Sequence, residues 1–267
     1  MKNLIVNADD FGLTPGVTDG IIKSHLDGIV TSTSALLNSP HIQIDLPRIR
    51  RECPGLGIGV HMVITEGKPL MHLSQAASLV NENGYFHELH HHPDRINTLD
   101  LDEVFMEWKS QIETFFGFGF PPDHLDSHHH ISYFSAGLFE VMLRLAAKYD
   151  LPIRFPPPEF IESLGIEKIS DLLVNYGVRA PGACITSFYG DDNSVSQENI
   201  LRIITAIKEG AYEVMCHPGY ADQELIDGCS YSSPREQELG ILTSMEVRQA
   251  VEIQGISLVN FSVFSKP

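Results

Sequence analysis

Short apolar runs that lack period-2 alternation, each followed by polar residues and then a helical stripe, recur along this chain and restrict what it can fold into. Leu4 to Asn7 is the first such run, as expected of a strand covered on both faces in a parallel sheet. After Thr14-Pro15, where proline suits a first helical position, Val17, Ile21, Ile22 and His25 share a helix face that stops at Gly28. Further strands are expected over 29–37, 56–60, 124–126, 153–155, 212–216 and 256–261. Val104, Phe105, Trp108, Ile112 and Phe115 mark a helix from Asp100, and others are expected over 138–149 and 169–176. Ser194 with Gln197 and Thr243 with Glu246 read as capping boxes opening two more helices. Between Met62 and Thr98 a polar, histidine-rich stretch without periodicity reads as a long functional loop or lid.

About seven strand-helix units with no internal repeat, linker or composition break imply an α/β protein, a single irregular (β/α) barrel of TIM-like type spanning residues 1–267, with a doubly wound open sheet as the alternative. The hydrophobic share of 43% supplies one extended core and excludes disorder by composition. With 35 acidic against 18 basic residues, a formal charge of −17 argues against nucleic acid or anionic membrane as partners. The apolar run at the start is too short for a signal peptide and no stretch approaches transmembrane length, so a cytoplasmic location is expected. Cys53, Cys184, Cys216 and Cys229 show no CxxC spacing and are expected to be reduced.

Asp9, Asp10, His61, His128, Arg154 and His217 all fall near the C-terminal ends of expected strands. In a barrel those ends form one face, where βα loops build active sites. Two carboxylates side by side after a buried strand, Asp9-Asp10, are relieved by a cation, although a turn or helix-capping pair is the plainer reading of an isolated Asp-Asp. The small residues of Gly57-Ile58-Gly59 before His61 allow close backbone approach at a crowded centre. Alternate imidazoles of His128-His129-His130 are expected to face into the site and away from it. His87, His90, His91 and His92 follow no strand and read as loop. His217, before Pro218-Gly219, suits an acid-base group.

These residues resemble the YdjC/ChbG-type carbohydrate deacetylases, related in chemistry to the NodB-type polysaccharide deacetylases. The likeness spans nearly the whole chain: 5–12, 28–33, Gly59-Val60-His61 with 65–70, 124–130 and His217-Pro218-Gly219. It implies a dimeric irregular barrel with Asp10, His61 and His128 holding one divalent metal ion, Mg2+ or Zn2+. It also implies Asp9 as general base, His217 as general acid and Arg154 as the arginine that orients the base. The implied activity is hydrolysis of the N-acetyl group of a small amino sugar or chitooligosaccharide, with or without a phosphate. Where the family often carries a further histidine after the triple histidine, this chain has Ser132. For a phosphorylated substrate, Lys68, Arg154 and Arg179 are the candidate contacts. A barrel-type metal phosphoesterase is a rival reading, favoured by more than one metal per chain. A non-catalytic metal- or sugar-binding protein is another, and it leaves Asp9 and His217 without a task.

Overall fold

The computed structural model describes all residues except His90, Ser163, Glu167, Lys266 and Pro267. Its elements are β1 (Lys2–Phe11), α1 (Pro15–Leu26), β2 (Ser32–Ala35), α2 (Ile42–Glu52), β3 (Gly57–Met62), α3 (Leu101–Phe116), β4 (Leu125–Ser127) and α4 (Ala136–Tyr149). There follow α5 (Pro158–Ile161), α6 (Ile169–Tyr176), β5 (Cys184–Ile185), α7 (Gln197–Ala206), β6 (Gly210–Cys216), α8 (Gln223–Gly228), α9 (Ser233–Leu242), α10 (Met245–Ile253) and β7 (Ile256–Leu258). Every strand pairing is parallel, in the order β4-β3-β2-β1-β6-β5, with β7 on the N-terminal part of β1. The sheet curls into a partial barrel. Beyond β4 it continues through a single bridge at Ile153, whose amide donates to Arg179 O. The irregular (β/α) barrel is thus confirmed, with an incompletely bonded side where 153–155 was expected to be a full strand.

From Leu4 to Phe11 every β1 side chain is buried, as a central strand covered on both faces requires. Its register with β6, from Lys2 opposite Gly210 to Ala8 opposite Cys216, sets Asp9 and Asp10 beside the residues that follow β6. Thr14 caps α1 by accepting from Val17 N, with Pro15 in the first turn, as the sequence indicates. The two expected capping boxes are each misplaced. Ser196, not Ser194, caps α7 through Asn199 N, and Ser244, not Thr243, caps α10 through Val247 N. Two hydroxyl residues compete at each site, Ser194 with Ser196 and Thr243 with Ser244, and the one nearer the first buried residue of the helix caps it.

The 63–98 stretch is a long loop with only short 3-10 turns and one bridge, Val80 with Phe86. It is pinned rather than loose: Ala76, Leu79, Phe86 and Leu89 are buried, Glu107 of α3 accepts from Leu70 N and Met71 N, and Gln111 binds Val63 on both its amide and carbonyl. No helix among the described residues is long and apolar enough to cross a membrane. All four cysteines are free thiols.

One packing contact bears on function. Gly20 of α1 lies against Gly219, so close that a Cβ on Gly20 would sit 2.4 Å from Gly219 Cα. Backbone there has nowhere to go, so Gly20→Ala is expected to destabilise the chain by ~1–3 kcal/mol in denaturant melts, the usual range for overpacking. It should also displace the turn carrying His217. An unchanged melting midpoint would show that this contact yields freely.

Candidate metal centre and active site

The strand ends bring the expected residues together by register. His61 on β3 lies opposite Asp126 on β4, and neighbours in a parallel pair project to the same side of the sheet. His61 Nδ1 therefore meets Asp126 Oδ1 at 2.8 Å, and Ser34 of β2 donates to Asp126 Oδ2 at 2.9 Å. A histidine held by a carboxylate through one nitrogen presents the other in a fixed direction. That other nitrogen, Nε2, lies 3.3 Å from Asp10 Oδ1, and His128 Nδ1 lies 2.9 Å from the same oxygen.

Adjacent strand residues normally face opposite sides, so Asp9 and Asp10 could not both reach one site from a regular β1. The β1–β2 register shifts between Ala8 and Phe11, and Asp10 takes a left-handed φ of 70°. This irregularity breaks the alternation, and both carboxylates line one cavity of about 540 Å³. The triple histidine does not alternate as expected either. His128 directly follows β4, but His129 and His130 are both left-handed (φ 54°), turning the chain tightly so that all three histidines line the cavity.

Asp10, His61 and His128 form a donor set that fits a divalent cation. Their donor atoms all lie within 4.8 Å of one another, and the three residues are buried. Asp10 Oδ1 has no hydrogen-bond partner among the described residues, although it faces two imidazole nitrogens. Donors bound at about 2.0–2.2 Å to one ion sit roughly 3 Å apart, close to the separations seen here. Burial alone would raise the Asp10 carboxyl, but the charges of His128 and Arg235 hold it well below its usual value. Burial likewise disfavours a charged His61, yet Asp126 and Asp10 override it and push that imidazole up to about 10.

Asp9 stands beside this centre in a fork from Arg154, at 2.8 and 2.6 Å, and also accepts from Asn7 Nδ2 at 2.8 Å. Burial would raise its pKa, but Arg154 holds it lowered and ionised. Arg154 is fully buried and serves three acids, reaching Asp126 at 3.0 Å and Glu213 at 2.8 Å as well. His217 follows β6 and lines the cavity beside the rings of Tyr189 and Tyr231, at 5.0 and 5.7 Å. Burial pushes it down to about 4, and its Nδ1 has no partner among the described residues.

Several residues escaped the sequence reading. Asp126 stood in plain view within Asp126-Ser127-His128, and its place one register step from His61 was the missing link. Arg235 and Glu238 come from α9, which showed no clear apolar period; Arg235 donates to Asp10 Oδ2 at 2.6 Å, and Glu238 accepts from His217 N. Two expectations need correction. The open sides of Gly57 and Gly59 are filled by Asp123 with Asn260 and by the His124 ring, so these glycines serve packing rather than a ligand. Lys68, Arg154 and Arg179 do not line the cavity: Lys68 lies over Tyr85, Arg154 is consumed by carboxylates, and Arg179 binds Asp150 and Phe264 O. His87, His91 and His92 also lie away from it, and His90 is outside the described residues.

The profile of YdjC-like proteins matches residues 3–252. A carbohydrate deacetylase of Enterococcus faecalis is 41% identical over 97% of this chain and 97% of its own length. A chitooligosaccharide deacetylase of Salmonella paratyphi B is 36% identical over 94% of this chain and 95% of its own. Among solved structures, a proposed cellobiose-phosphate cleavage protein of Enterococcus faecalis V583 superposes with a TM-score of 0.88 at 39% identity, covering 99% of each chain. A family 4 carbohydrate esterase from Streptomyces lividans shares the fold at a TM-score of 0.52 and 13% identity, over 96% of this chain and 91% of that one. With a family match along 3–252 and relatives this similar along nearly their whole lengths, the chain belongs to the YdjC-like protein family.

Proposed function

We propose that this chain is a carbohydrate deacetylase, acting as one domain, that hydrolyses the acetamide of a small N-acetylated amino sugar or chitooligosaccharide with one divalent cation held by Asp10, His61 and His128. The observation that carries this reading is the meeting of those three donors at an oxygen without a hydrogen-bond partner, with Asp9 and His217 lining the same cavity. The names of the full-length relatives supply the substrate class. An amide is a poor electrophile and an amine a poor leaving group. Bound at this site, the cation supplies a Lewis acid for the acetyl oxygen and lowers the pKa of water.

The chain's own residues do the rest. Asp9, fixed and kept ionised by Arg154, accepts a proton from the attacking water. His217, which burial keeps neutral at rest by pushing it down to about 4, takes up the proton that the water gave to Asp9 and delivers it to the departing nitrogen. Each role is typically worth about 10²–10⁴-fold. Two imidazoles with one carboxylate suit zinc or another transition ion by ligand softness better than magnesium.

The test is acetate release from a panel of N-acetylated mono- and oligosaccharides, each with and without a 6-phosphate. Acetate should appear from at least one neutral or phosphorylated member, stop on chelation, and return with Zn2+, Co2+, Mn2+ or Mg2+ added singly. Release of inorganic phosphate in place of acetate would replace this reading with the phosphoesterase one.

A further inference from the structure

We infer that α9 is a positioning element that fixes the cation site and the proton donor relative to each other, with Arg235 setting the metal-binding carboxylate and Glu238 setting His217. This inference rests on the proposed roles of Asp10 and His217. Arg235 and Glu238 are three residues apart and so share a helix face. Both are buried, at 3% and 0% exposure, so this face points inward although it is charged. Burial of a guanidinium and a carboxylate is costly unless each is paired, and the partners here include the site residues themselves, although Arg235 Nη1 has none among the described residues.

Arg235 Nη2 donates to Asp10 Oδ2 at 2.6 Å, and its Nε donates to Tyr231 O at 2.9 Å. Oδ2 is thereby occupied, and the bond sets the orientation of the carboxylate. Oδ1 alone is left facing His61 and His128. Glu238 divides its oxygens between two donors, His217 N and, at 2.6 Å, the Tyr231 hydroxyl. The turn after His217 is tied to the same helix, since Gly219 N donates to Arg235 O at 3.2 Å. One rigid element therefore grips the far oxygen of the cation ligand and the backbone of the acid, one helical turn apart.

The two grips predict different losses. Zn2+ affinity of the purified chain, measured by competition with a chromophoric chelator, reads the first without any turnover. Arg235→Met should weaken Zn2+ binding by ~10–100-fold, as loss of a partner behind a metal ligand typically does. Arg235→Lys should recover part of it, because it keeps the charge but not the fork. If Arg235 instead acted only as a nearby positive charge, Arg235→Met would tighten Zn2+, and that result overturns the assignment.

Glu238→Ala should leave Zn2+ affinity within about twofold of the parent while lowering kcat/KM on an unactivated acetamide by ~10²-fold, the scale of a misplaced proton donor. A substrate with a better leaving group should lose much less. Glu238→Gln, which can still accept from His217 N while the Tyr231 hydroxyl turns to donate or accept elsewhere, should fall between. Equal losses on both substrates with a parallel drop in Zn2+ affinity would mean that Glu238 only holds the fold. Should the parent chain bind Zn2+ yet release no acetate, the deacetylase reading falls while the Arg235 measurements still decide their half.

Discussion

His61→Ala is expected to lower divalent-cation affinity by more than ~100-fold, beyond what removal of an outer partner costs, and to bring acetate release to background. This variant is a cleaner probe than Asp10→Ala. Without Asp10, the buried Arg235 is left uncompensated, and breaking one side of a buried pair costs about 3–5 kcal/mol. Without His61, Asp126 still holds Arg154 and Ser34, so that buried acid is not left without a partner. A folded His61→Ala protein with parental metal content would contradict the ligand set. The same cluster fixes a pH dependence. With no cation bound, His61 is pushed up to about 10, so at neutral pH a cation must displace its proton. His128 is raised too, burial being overcome by Asp10. Affinity of the parent chain should therefore increase from pH 6 to pH 8, about tenfold per pH unit for each proton released. A flat profile would show that the imidazoles are already neutral in the free protein.

Much of this site was legible because strand ends are. The run before His217 ends where β6 ends and the glycine-flanked run before His61 stops two residues short of the end of β3, whereas β1 continues past Asn7 through Asp9 and Asp10 to Phe11. The register that joins His61 to Asp126 was not legible, since pairing between β3 and β4 links residues 65 positions apart and leaves no local mark. Nor was the irregularity at Asp10, because a left-handed aspartate looks like any other in a sequence. The helix α9 was hidden for a physical reason. Sequence periodicity assumes that apolar residues face inward, whereas α9 turns Arg235 and Glu238 inward along with Leu239 and Leu242, which cancels the stripe. Polar residues facing inward occur where a site needs them, so the segment least readable as structure was among those nearest the chemistry. The opposite holds for α3 and α4, whose apolar faces serve packing and whose boundaries were legible within two residues.

Arg154→Met should be the most destabilising single change in the molecule short of a core truncation. Arg154 is fully buried and is the shared cation for Asp9, Asp126 and Glu213. Methionine fills much of the volume but leaves carboxylates facing one another at low dielectric, a loss on the order of 3–5 kcal/mol at pH 7. The pH dependence gives the cause. In the parent, burial would raise Asp9, but Arg154 keeps it lowered; Glu213 is already raised by burial in spite of Arg154. Remove the guanidinium and burial acts unopposed, so both native carboxyls should titrate above their ordinary unfolded values. Between those two sets of values the native variant binds more protons than the unfolded chain, and its stability falls as pH rises. The difference between parent and variant in urea melts should thus be smaller at pH 5 than at pH 8. A difference that stays constant across that range would locate the damage in packing rather than in charge, and would remove the electrostatic basis for treating Arg154 as the group that keeps Asp9 ionised beside the cation site.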